Sequence, residues 1–172
     1  SVLKELITDT GYSEISIATG YWDLPGMVEI HDELSTFLRR ENTVLRLLLG
    51  EEPSVKAYQV KNPAKQDPDF PEKYLKKDLE ELQLKEEFQK VADLLVEYMN
   101  EENKGKLQIR IYRKNFLHAK CYIFGTDEEN AVGIIGSSNF TRQGLFGNLE
   151  LNQFEDNNAT VNFTRKNISQ NP

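Results

Sequence analysis

Along Glu14–Gly20, Ile15 and Ile17 alternate with small polar residues, and a period of two predicts a strand. Trp22–Gly26 reads as a turn, with Asp23 placed to cap a helix that has Pro25 in its first turn. Met27, Ile30, Leu34, Phe37 and Leu38 then recur at three- and four-residue spacing, the stripe of one amphipathic helix. Thr43–Leu49 is a short, mostly apolar run that ends at Gly50, and its length predicts a buried strand. Strand, helix and strand within fifty residues point to parallel pairing. Residues 51–71 hold Pro53, Pro63, Pro68 and Pro71 among polar residues and read as a loop insertion. Leu75, Leu79, Leu82, Phe88, Val91, Leu95, Tyr98 and Met99 form a long helical stripe. Strands are predicted at Leu107–Arg113, Phe116–Phe124, Ala131–Ile135 and Leu149–Phe154. The pattern therefore predicts an α/β fold, a mixed, largely parallel central sheet flanked by helices, as one domain over 1–159. A polar tail or linker follows over 160–172.

At 172 residues the chain is long enough to bury a core without staples. Its single cysteine, Cys121, excludes an internal disulfide framework and a cysteine-rich zinc module. No apolar run approaches the ~18–20 residues needed to span a bilayer, and the first residues lack the pattern of a signal peptide. The expectation is a cytoplasmic chain with no membrane partner, excised from a longer protein because it does not begin with Met.

The net charge of −7 argues against a protein coated with a nucleic-acid-binding surface, but it is an average. Residues 1–104 carry 13 Lys and Arg against 22 Asp and Glu, whereas 105–172 carry 8 against 6. Asn103–Thr126 holds Lys104, Lys106, Arg110, Arg113, Lys114 and Lys120 with no acid. Such a stretch can attract phosphate locally, or can be a solvated basic loop.

Within it, His118 and Lys120 stand two apart on a predicted strand, so they share a face, roughly 7 Å apart along the chain. Leu117, Ala119, Cys121 and Ile123 take the opposite face and suit a core. A lysine charge beside an imidazole disfavours its protonation and keeps it available as a nucleophile; both groups also suit an anion. Gly136-Ser137-Ser138-Asn139 follows the next apolar strand, and small donors in such a turn can bind phosphate oxygens. Taken alone, Gly-Ser-Ser-Asn is also ordinary loop composition.

His-x-Lys on a strand, an apolar strand and then Gly-Ser-x-Asn together resemble the phospholipase D superfamily, the HKD phosphodiesterases. The similarity runs from Leu117 through Glu150. The family pattern is His-x-Lys-x4-Asp, whose Asp position here falls on Gly125; the first acid is Asp127, two residues later. The resemblance implies a phosphohistidine on His118, with Lys120, Asn139 and Ser137 holding the non-bridging oxygens. Ser138, Arg113 and Lys114 join them as substrate-binding candidates. Glu150, in Asn148-Leu-Glu-Leu, is similar to the family acid that orients the histidine. No metal or other cofactor is implied, and the sequence offers no metal-ligand cluster. The mechanism needs a second histidine, yet the chain has two His in all, and His31 lies in an acidic helix with no Lys two residues on. A homodimer pairing two copies of His118 is therefore expected.

The segment from Ile17 to Trp22, with Leu45–Gly50 after the helix, resembles the phospholipase-D-type nuclease domains fused to bacterial restriction enzymes and superfamily-2 helicases. That implies a DNA endonuclease module, with a helicase or ATPase domain elsewhere in the full-length chain. A phospholipid-cleaving enzyme and a catalytically silent dimerisation or DNA-docking domain are the other readings.

Overall fold

A computed structural model describes residues 1–50, 86–100, 102–103, 105–114, 117–126, 129–156 and 168. Its elements are α1 (Val2–Thr8), β1 (Glu14–Thr19), α2 (Leu24–Val28), α3 (His31–Arg39), β2 (Val44–Leu49), α4 (helical residues 86–99), β3 (Leu107–Ile111), β4 (Lys120–Phe124), β5 (Val132–Gly136) and β6 (Asn152–Asp156). The loop expected at 51–71, Asp127 and all of 160–172 except Ile168 lie outside the described residues.

The six strands form one mixed sheet in the order β3-β2-β1-β4-β5-β6. The α/β class and the mixed sheet agree with the sequence reading. Parallel pairing is confined to β1–β2 and β2–β3, while β1–β4, β4–β5 and β5–β6 are antiparallel. Between β4 and β5 the reason is connection length, since residues 125–131 are too few for the crossover that parallel neighbours need.

Alternation along the strands divides the core. Ile15, Ile17, Leu45, Leu47, Leu49, Tyr122 and Phe124 face Leu3 and Ile7 of α1, Leu34, Phe37 and Leu38 of α3, and Val91, Leu94 and Tyr98 of α4. Ala18, Leu48, Cys121 and Ile123 form a smaller cluster on the other face, with Leu117 and Ala119 packed against it. Ile168, in the segment read as a polar tail, is 4% exposed and belongs to that second cluster.

The helix expected after Trp22 is two helices. Asp23 caps α2 as read, accepting from the Gly26 N–H at 2.7 Å. At Ile30 the backbone leaves the helical region (φ −124°, ψ 17°), and its N–H reaches back only three residues to Met27. The apolar stripe survives the break, because Met27, Ile30, Leu34, Phe37 and Leu38 are all buried. Helix α1, short and anchored by Leu3 and Ile7, had no counterpart in the sequence reading.

Candidate active site

The sheet's strand directions gather the candidate residues. Strands β1, β2 and β3 run in parallel, so their carboxyl ends share one rim. β4 runs against β1, so its beginning lies at that rim; β5 runs against β4 and ends there; β6 runs against β5 and begins there. The rim thus collects Thr19–Gly20, His118 and Lys120, Gly136–Asn139, and Glu150.

The register sets Lys120 opposite Thr19. His118 precedes the strand that was predicted to contain it, because ladder pairing begins at Lys120; it is exposed. The chain is still anchored there, since the Gly20 N–H donates to the Ala119 carbonyl at 2.8 Å. Gly20 and Gly50 make room for this crossing. A Cβ on either would stand 2.7 Å from the Leu117 carbonyl oxygen, inside any tolerable contact. Their missing side chains let the His118 segment lie across the ends of β1 and β2.

Lys120 Nζ is buried and has no hydrogen-bond partner among the described residues, and the same holds for Asn139 Oδ1. An ammonium withdrawn from water without a protein partner is costly unless an anion meets it.

The turn after β5 is held from four sides. Thr19 Oγ1 accepts from the Phe140 N–H at 3.0 Å and donates to the Tyr21 carbonyl at 2.7 Å. The Tyr122 hydroxyl donates to the Ser138 carbonyl at 2.8 Å, and burial pushes that phenol far above its ordinary range. Asn152 Nδ2 donates to Ser138 Oγ at 2.8 Å. Asp23 accepts from the Arg142 N–H at 3.0 Å as well as capping α2. Ser138, expected to bind substrate, is 5% exposed, and its hydroxyl accepts from Asn152. Thr19, Tyr122 and Asn152 were not singled out from the sequence; their contacts bridge up to 121 positions and leave no local pattern.

Ser137, by contrast, is exposed and donates to the Glu150 carboxylate through a short hydrogen bond. Asn148 Nδ2 donates to the other Glu150 oxygen at 3.1 Å. These two bonds, helped by the nearby Lys120 charge, hold Glu150 below the usual carboxylate range. Both Glu150 oxygens are therefore engaged, one by Ser137 in the turn after β5 and the other by Asn148. Arg113 and Lys114 are exposed just past β3, at the same rim but three strand spacings from β4, roughly 14 Å. Lys106 is drawn out of the basic stretch, donating to the Leu38 and Arg40 carbonyls. His31 bonds Asp32 at 3.0 Å and lines a separate polar hollow with Lys4 and Glu87. Among the described residues no group of His, Cys, Asp and Glu is arranged to hold a metal ion, and no helix is long and apolar enough to cross a membrane.

The position where the family Asp would stand has its own explanation. Gly125 adopts φ +91°, and a Cβ there would meet the Tyr12 ring at 2.7 Å. An aspartate fits neither the backbone nor the space.

Residues 3–171 match the family described as cardiolipin synthase, PLD-like domain. The chain belongs to the PLD-like family. Its mixed sheet and flanking helices are those of a PLD-like domain, and membership supports phosphodiesterase-type chemistry in general terms. No curated protein matches the chain.

Proposed function

We propose that this PLD-like domain is a metal-independent phosphodiesterase that cleaves DNA as the endonuclease module of a restriction- or helicase-type protein. The observation that carries the phosphodiester reading is the buried ammonium of Lys120, without a hydrogen-bond partner among the described residues, beside the turn that holds Asn139. In the first step an imidazole nitrogen of His118 attacks phosphorus, the bond to the leaving oxygen breaks, and a second imidazole protonates that oxygen. In the second step that imidazole takes a proton from water, the water oxygen attacks phosphorus, and the phosphorus–nitrogen bond breaks. Lys120 and the Asn139 NH2 meet the non-bridging oxygens, where charge accumulates. Ser137 and Glu150 hold the mouth of the site, and Arg113 and Lys114 extend it toward a nucleic-acid backbone. The second imidazole is the partner subunit's His118, because His31 is committed to Asp32 in another part of the fold.

DNA is favoured over lipid by the exposed Arg113 and Lys114 at the rim. The family description, which names cardiolipin synthase, favours a phospholipid phosphodiester as the second reading. Cleavage of supercoiled plasmid in EDTA, abolished by His118→Ala, is the expected result. Hydrolysis of anionic phospholipid vesicles with DNA left intact would select the second reading. Inactivity on both would leave a DNA-docking or dimerisation domain.

A further inference from the structure

Asn139 Oδ1 is buried and has no hydrogen-bond partner among the described residues, so the backbone that carries the amide sets its direction. That backbone is fixed from three directions. Ser138 before it is held by Tyr122 and Asn152. Phe140 after it is held by Thr19 and by the Asp23 N–H, which donates to the Phe140 carbonyl at 3.3 Å. The third support is Gly144. Gln143–Gly147 form a single wide turn of π-helix, and Gly144 is buried in it against the Asn139 peptide. A Cβ on Gly144 would stand 2.5 Å from the Asn139 carbonyl oxygen and 2.9 Å from the Asn139 nitrogen. Both are backbone atoms, so no side-chain rotation relieves the contact; only glycine allows so close an approach.

The turn cannot simply retreat. Arg142 at its start is bound twice, its N–H to Asp23 at 3.0 Å and its Nε to Glu29 at 2.8 Å. Thr141 Oγ1 accepts from the Gly144 N–H at 3.1 Å, and the Thr141 carbonyl accepts from the Leu145 N–H at 2.9 Å. At its far end the Asn148 N–H donates to the Gln143 carbonyl at 2.7 Å, while the Asn148 side chain holds Glu150. One turn thus joins the backing of Asn139 to a partner of Glu150.

We infer that Gly144 is a positioning residue of the site: it seats the Asn139 peptide and thereby aims the Asn139 amide at the non-bridging oxygens. The inference deepens the proposed function and rests on the anion-binding role given there to Asn139. Local propensity separates placement from folding as the reason for glycine. Gly144 does not have a positive φ, and in a helical backbone alanine is the more stable residue. Propensity alone favours alanine at 144; the contact with Asn139 excludes it.

A double-mutant cycle of Gly144→Ala, Asn139→Ala and the pair tests it, read by plasmid cleavage in EDTA and by calorimetric binding of tungstate, a tetrahedral oxyanion. In the wild-type background Gly144→Ala is expected to lower kcat/KM about 100-fold and tungstate affinity about 10-fold. In the Asn139→Ala background it should change neither, because a residue that acts through Asn139 has nothing left to aim. Far-UV circular dichroism verifies folding. Should Gly144→Ala not fold, Thr141→Val, which removes the hydroxyl that the Gly144 N–H meets, takes its place in the cycle, with a smaller loss and the same non-additivity expected. Wild-type activity and tungstate affinity in Gly144→Ala, or losses that persist undiminished without the Asn139 amide, overturn the inference and leave the proposed reaction standing. A wild-type chain that binds tungstate but leaves DNA intact overturns the nuclease reading alone, and the tungstate cycle still decides the role of Gly144. A wild-type chain that does not bind tungstate overturns both.

Discussion

Gly20 lies directly beneath the carbonyl of Leu117, so close that a methyl group at position 20 would stand 2.7 Å from its oxygen. The residue after Leu117 is His118, the nucleophile of the proposed reaction. Gly20→Ala therefore displaces His118 without touching substrate. An offset near 1 Å at a reacting group costs about 100-fold in rate. We expect kcat to fall by about that factor with KM little changed, while far-UV circular dichroism stays native. Unaltered turnover would show that the crossing at Gly20 does not set the imidazole's position.

Lys120 predicts a trade between stability and activity. Its ammonium is buried with no protein partner among the described residues, so it is a liability to the folded chain alone. Lys120→Met keeps the length of the side chain and removes the charge. It should abolish cleavage while stabilising the fold by about 1–3 kcal/mol, read from denaturant unfolding. A destabilised Met variant would mean that the ammonium has a stabilising role in the unliganded protein.

The Ser137 hydroxyl is the largest influence on Glu150, followed by Asn148. A carboxyl whose folded pKa is depressed keeps its charge at high pH and loses it as pH falls through that depressed value. Ser137→Ala removes the main stabiliser of the charged form. Glu150 should then titrate at higher pH, and the acid limb of the kcat/KM profile should move upward with it. Side-chain NMR titration of Glu150 measures this directly, and an unmoved titration would detach the carboxylate from Ser137 in solution.

Cys121 occupies the sheet face opposite Lys120, and burial pushes its thiol up to about 12. The native chain should not react with thiol reagents at pH 8 and should release one equivalent when unfolded. Cys121→Ala should keep the activity, because the Cys121 side chain lies on the sheet face opposite Lys120. Rapid labelling of the folded chain, or loss of cleavage in the variant, would contradict the face assignment.

These outcomes bear on what the chain discloses before it folds. β1 and β2 were legible because both alternate or run apolar over a strand's length and are buried as expected. His118 and Lys120 were legible from spacing, Asn139 and Glu150 only through the family resemblance, and strand directions bring the four to one rim. β6 was displaced in the reading: Leu149 and Leu151 alternate like strand residues, yet pairing starts at Asn152 and runs through polar positions. An edge strand is held by backbone hydrogen bonds, so its side chains need not follow burial. The break at Ile30 was invisible because both halves keep the same buried stripe. The clamps from Thr19, Tyr122 and Asn152 were invisible because each is a single hydrogen bond between distant parts of the chain.

Tyr12 and Gly125 limit what can be built at the position of the family acid. The left-handed backbone at 125 and the Tyr12 ring packed over it each exclude a side chain at that position. An aspartate at that position would need both a smaller residue at 12 and a different bend in the chain. Any attempt to reinstate the acid has to begin by replacing the tyrosine.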